Sequence, residues 1–230
     1  MSGTRAAANL GTPVLCFDTC SILDILRDIT RTSTVAQEQE AALQIVSAME
    51  RKSMLGGIIA DQVHTEFLDN VDRVSAETVV ALKKFRQQVN RIDALVGVFG
   101  QAIQTDLRHL DGHVGRCRSV VDRWLAAATI LPGGRDIISR AFSRMTAART
   151  PARKGRDSMK DCVVIETYLE TASDLRAAGL TAKIVFVSSN TRDYAGETGS
   201  TLRPDLAGEF ATLNMEYAPN LAAARHFLGL

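Results

Sequence analysis

Four acidic residues stand where apolar runs or helix starts give way to polar sequence. Asp18 follows Val14 to Phe17, Glu66 comes early in a helix after Ile58, Ile59 and Ala60, Asp161 lies beside Ser158 at a helix opening, and Asp193 ends the turn after Ile184 to Val187. Carboxylates at such places can hold hard Mg²⁺ or Mn²⁺ through oxygen. Ions held in that way supply the nucleophile and the charge relief that phosphodiester hydrolysis needs. Each acid also has a plain alternative: Asp18 as a helix cap, Glu66 as a helix-surface acid, Asp161 as half of a capping box with Ser158, and Asp193 as a turn former. Taken one at a time, the residues leave both readings open.

Other chemistries find less support. His109 and His113 are four apart, but Gly112 interrupts them and no acid lies between them as in a zincin helix. Cys16, Cys20, Cys117 and Cys162 lack the spacing of a zinc knuckle or a redox pair and read as reduced thiols. There is no Gly-rich phosphate loop. With neither an apolar run of about 20 residues nor a secretory leader, the chain is expected in the cytoplasm, off the membrane. A net charge of +1 excludes a globally basic coat protein, yet Arg144 to Lys160 carries six basic residues against Asp157 alone. That strip is a solvated connecting loop or a phosphate-binding surface. An aromatic content of 5% provides no evident platform for stacking bases.

The elements that must position these groups alternate as in an α/β protein. Val14 to Phe17 reads as a buried parallel strand, followed by a helix through Ile22 and Leu26. Thr34 and Gln37 predict a capping box for a helix whose Ala42, Ile45, Val46 and Met49 share a face. Gly56 and Gly57 introduce a strand at Ile58 and Ile59. No strand signal follows between Ala76 and Ile130. There Leu82, Phe85, Val89, Ile92, Val96, Phe99 and Ile103 keep a 3,4 spacing, which predicts one long helix or two stacked ones. Asp111 and Gly112 turn the chain back into a helix bearing Val120, Val121, Trp124 and Leu125. The seam is then an intramolecular hairpin or a contact with a partner. Ile165, Tyr168, Leu169, Ala172 and Leu175 form the face of a helix ended by Gly179, and strands follow at 184–187 and 213–217. In a parallel sheet, chemistry collects at the carboxyl edge, so Asp18 and Asp193 are expected on one rim.

Four stretches in this order, VLCFDTCSILDIL at 14–26, IIADQVHTEF at 58–67, DSMKDCVVIETYLE at 157–170 and VFVSSNTRDYAG at 185–196, resemble the PIN-domain ribonucleases. The resemblance covers roughly the first 70 and the last 75 residues. It implies a three-layer α/β/α fold with a central, mainly parallel sheet, one domain over 1–230, and a helical insertion at about 76–148. It also implies a metal-dependent endoribonuclease in which Asp18, Glu66, Asp161 and Asp193 are catalytic and hold Mg²⁺ or Mn²⁺, with Thr19, Ser188 and Asn190 as the polar groups around them. Arg153, Lys154, Arg156 and Lys160 would then lie along the RNA backbone. Family membership further implies a toxin with an antitoxin partner as one version, and a homodimer through the insertion as a possible assembly. Two positions depart from the pattern: Cys20 replaces a common Asn, and Asn190 is neutral where some members carry Asp. Asp24, Asp69 and Asp157 lie near enough in sequence to substitute for a ligand. Two other classes compete: a non-catalytic scaffold that binds RNA or protein, and a haloacid-dehalogenase-like phosphatase. The phosphatase needs a second Asp two residues after Asp18, where this chain has Cys20.

Overall fold

Strand β1 (Val14–Phe17) is wholly buried, and its alternation decides which layer covers each side of the sheet. In this computed structural model, which describes residues 11–230 apart from Ser33, Arg135, Lys154, Arg156 and Glu197, β1 lies at the centre of five parallel strands. Its neighbours are β2 (Gly56–Ala60) and β4 (Ile184–Val187), with β3 (Ala128–Leu131) and β5 (Met215–Ala218) at the edges, in the order β3-β2-β1-β4-β5. Phe17 points to one face and meets Trp124 edge-on at 5.2 Å. Cys16 is in register with Phe186, which faces Tyr168 on the other side at 5.6 Å. Helices therefore cover both faces, giving the three-layer α/β/α arrangement.

The first layer contains α2 (Ala36–Glu50), α4 (His113–Ala127) and, at the end of the chain, α9 (Leu221–Leu228), with α4 and α9 both packed on α2. The indole N–H of Trp124 donates to the Ala42 carbonyl, which fixes α4 in this layer. The second layer is built on α6 (Met159–Ala177), against which α5 (Ile137–Thr146) packs. Short helices α1 (Thr19–Leu23), α7 (Thr191–Tyr194) and α8 (Pro204–Thr212) follow β1, β4 and the 195–203 loop. No helix among the described residues is long and apolar enough to cross a membrane.

Helix α3 (Asp61–Gly97) runs unbroken for 37 residues, about 55 Å at 1.5 Å per residue. Its last buried residue is Leu82, so the rest projects as an arm. The predicted helical hairpin does not form on this seam. Residues 98–111 return along the arm with a single 3₁₀ turn, Thr105 bonding Asp93 and Arg86 bonding Asp111, while the next helix, α4, joins the core. Leu95, Val96, Val98, Phe99 and Ile103 are left exposed. Strand β3 is also a departure, since the sequence showed no strand before Ile130. It is an edge strand with Thr129 and Ile130 in the open, paired only to β2, so little in its residue pattern separates it from the helix before it. The expected Thr34/Gln37 capping box is absent: α2 starts at Ala36 after Val35, with no side-chain cap.

Candidate functional site

The acids meet at the carboxyl rim of the sheet. Asp18 follows β1 directly, and its backbone N–H extends the ladder by donating to the Val187 carbonyl. Its side chain is 5% exposed. Oδ1 accepts from the Thr19 N–H at 2.8 Å, and Oδ2 accepts from the Ser188 hydroxyl at 2.7 Å and the Cys20 thiol at 3.2 Å. Asp18 is thus both the cap of α1 and a group turned into the site, the two readings that the sequence left open. Burial pushes its carboxyl above the usual range, and the charge of Glu66 pushes the same way, against the three hydrogen bonds.

The predicted polar residues are the connectors between the acids. Thr19 donates its hydroxyl to Glu66 Oε2 at 3.1 Å, and Gln62 donates to Glu66 Oε1 at 3.0 Å. On the other flank, the Asn190 N–H donates to the Ser188 hydroxyl at 3.2 Å, and its side-chain amide donates to Asp193 Oδ2 at 2.8 Å. One chain of contacts therefore runs Glu66, Thr19, Asp18, Ser188, Asn190, Asp193. Asp161 stands half-buried in the first turn of α6. Its field, like that of Asp18, reaches the phenol of Tyr194. Ser158 precedes that helix without capping it by its side chain; the Asp157 carboxylate instead accepts from the Met159 N–H. Tyr168, seven residues after Asp161 on α6, braces the rim by accepting from the Ala60 N–H and donating to the Phe17 carbonyl.

Cys20, the departure from the family pattern, keeps a contact with Asp18. Burial and then the Asp18 charge raise its thiol strongly, so it stays protonated and donates. Among the possible substitutes, Asp24 pairs with Arg27 at 3.2 Å, Asp157 caps α6, and Asp69 is exposed on α3.

The basic strip is mostly engaged. Arg144 is buried on Glu166 and Glu209, Arg149 reaches Glu209, and Arg153 Nε lies 3.1 Å from Asp193 Oδ1 in an ion pair. Lys160 is exposed in the first turn of α6. Lys154 and Arg156 lie outside the described residues. The acids that capture these arginines are 22 to 65 residues away, so no local pattern announced the pairs. Sequence reasoning also missed the roles of Tyr168 and Tyr194, although Tyr194 adjoins Asp193 and Tyr168 shares a helix face with Asp161.

Among the described residues, no three His, Cys, Asp or Glu side chains are grouped closely enough to form a metal cage. No curated protein and no solved structure gives a significant match. A family model described as PIN domain matches residues 15–194, a span that begins in β1 and contains all four acids. By that match over most of its length, set on this parallel sheet, the chain belongs to the PIN-domain family.

Proposed function

We propose that this protein is a metal-dependent endoribonuclease of the cytoplasm, hydrolysing RNA phosphodiester bonds at the rim formed by Asp18, Glu66, Asp161 and Asp193. One observation carries this reading: the buried Asp18 carboxylate, joined through Thr19 to Glu66, has no ion pair with a basic side chain among the described residues. An acid buried beside another acid is costly unless a cation joins it. Mg²⁺ is commonly held by one or two carboxylates and several waters, so Asp18 and Glu66 suffice as protein donors without a closed cage. The family is often nucleolytic, which supports the same reading.

Asp18 and Glu66 would hold Mg²⁺ or Mn²⁺, with Asp161 and Asp193 completing the acidic wall. The ion supplies Lewis acidity toward a phosphate oxygen and makes water a stronger nucleophile. Thr19, Ser188 and Cys20 hold the Asp18 carboxylate in one orientation, and Asn190 does the same for Asp193. Arg153 sits on the acidic wall and is half-exposed, where it can turn from Asp193 to a substrate phosphate. Lys160, with Lys154 and Arg156, extends that contact along the RNA backbone.

We take the chain as one domain in which the projecting arm is the part added to the compact unit. The exposed apolar residues of the arm support a partner there, either a second copy or an antitoxin. Sedimentation of the pure chain separates the two. A dimer that Phe99→Asp splits assigns the arm to a second copy, and a monomer at all concentrations removes the homodimer.

The test is cleavage of a labelled structured RNA with Mn²⁺, Mg²⁺ or EDTA. Wild type is expected to cut only with metal, and Asp161→Asn to lose about 10²-fold or more of that rate, the scale of a lost electrostatic contact in a closed site. A wild type inert on several RNAs and without divalent-ion binding would leave the scaffold reading in its place.

A further inference from the structure

Tyr194 is fully buried, with its ring edge-on to Phe186 at 5.2 Å and 76°. That packing would be served equally by Phe. Yet the side chain ends in a hydroxyl that has no hydrogen-bond partner among the described residues. A buried hydroxyl left unmet is a standing cost, and native chains rarely retain one without a use. The contrast with Tyr168 is direct. Also fully buried on the same side of the sheet, Tyr168 has its hydroxyl both accepting from the Ala60 N–H at 3.1 Å and donating to the Phe17 carbonyl at 2.7 Å.

The surroundings of the Tyr194 hydroxyl say what it could serve. Burial and then the negative fields of Asp18 and Asp161 raise the phenol well above its ordinary range, so it remains a proton donor. The two acids come from different elements, the end of β1 and the first turn of α6, and the phenol senses both. A donor facing two carboxylates suits an oxygen ligand that the acids also hold. A buried water generally needs two to four polar partners, and Tyr194, Asp18 and Asp161 provide that number.

We infer that the Tyr194 hydroxyl is a positioning group that donates a hydrogen bond to a water held by Asp18 and Asp161 in the acid pocket. The inference rests on the proposed metal site and adds to it a donor that orients solvent beside the reacting phosphate. Tyr194→Phe removes the hydroxyl and keeps the ring. Titrated with Mn²⁺ in a calorimeter, this variant is expected to bind about 10-fold more weakly than wild type, the usual loss for an outer contact of a metal site. In RNA cleavage, kcat is expected to fall with KM unchanged. Tyr168→Phe serves as the control, melting earlier while binding Mn²⁺ as wild type does. Wild-type Mn²⁺ affinity in Tyr194→Phe, or an equal loss in Tyr168→Phe, would overturn the inference. A wild type that takes up no Mn²⁺ refutes the metal site instead. The Tyr194 inference is then judged on metal-free melting alone: Tyr194→Phe below wild type supports a bonded hydroxyl, and Tyr194→Phe at or above wild type overturns it.

Discussion

Asp18→Asn is expected to melt higher than wild type in EDTA and lower than wild type in excess Mn²⁺, while losing RNA cleavage by about 10³-fold. The reversal follows from burial. The Asp18 carboxyl is raised above its ordinary value of 3.8 in the folded protein, chiefly by desolvation and further by Glu66. An acid whose folded value is raised opposes folding once the pH exceeds that value, and the penalty fades as pH falls toward the unfolded value. Metal-free wild type should therefore gain stability relative to Asp18→Asn as the pH is lowered from neutral toward the ordinary aspartate range. With free Mn²⁺ about 100-fold above its Kd, binding stabilises wild type by about 2.7 kcal/mol, on the order of 5–10 °C in Tm. The Asn variant forfeits that gain and the several kcal/mol that a metal centre gives a transition state, which is the source of the 10³-fold loss. Identical melting shifts with Mn²⁺ in both proteins would remove Asp18 from the metal site.

The parts of this site that were legible in the sequence are those whose partners are sequence neighbours or strand ends. Val14 to Phe17 and Ile184 to Val187 are short, continuous apolar runs that stop at polar residues, so both the strands and the rim could be read. Thr19 and Asn190 lie within three residues of the acids they serve, and the family pattern places Ser188 and Asp18 on adjacent strands. Tertiary choices were not legible. Glu38, in the first turn of α2, accepts from the N–H groups of Leu221 and Ala222 at the start of α9, 183 and 184 residues away. The 3,4 spacing from Leu82 to Ile103 correctly implied a long helix but could not show where it would end. The helix stops at Gly97, and the returning chain is held by Asp93 and Arg86 rather than by apolar packing. The basic strip misled most, because a run of arginines looks alike in solvent and in a buried ion-pair network.

That network supports the last prediction, that Arg144→Met destabilises the protein by about 3–5 kcal/mol. Arg144 is 1% exposed along its side chain. It holds Glu166 Oε1 at 2.6 Å, the Thr150 carbonyl at 2.6 Å, and both carboxylate oxygens of Glu209 at 2.8 and 2.9 Å. Met would fill much of the volume but would leave two partly buried carboxylates short of their cation. Arg140 and Arg149 also reach these acids, yet both are far more exposed and their pairs are correspondingly weaker. The expected fall in Tm is on the order of 10 °C. A change within about 2 °C would show that the network contributes no more than surface pairs do. Adding Glu166→Gln and Glu209→Gln to Arg144→Met should recover much of the loss, since removing the stranded charges removes most of the penalty. The same arginine anchors the segment that leads to the site. With Thr150 also bonded to Asp205, residues 147–153 are tied to α8, and Arg153 leaves that tether to reach Asp193. The triple variant, folded but without the anchor, is therefore expected to show a raised KM for RNA with kcat nearly unchanged, separating the placement of Arg153 from the stability of the fold.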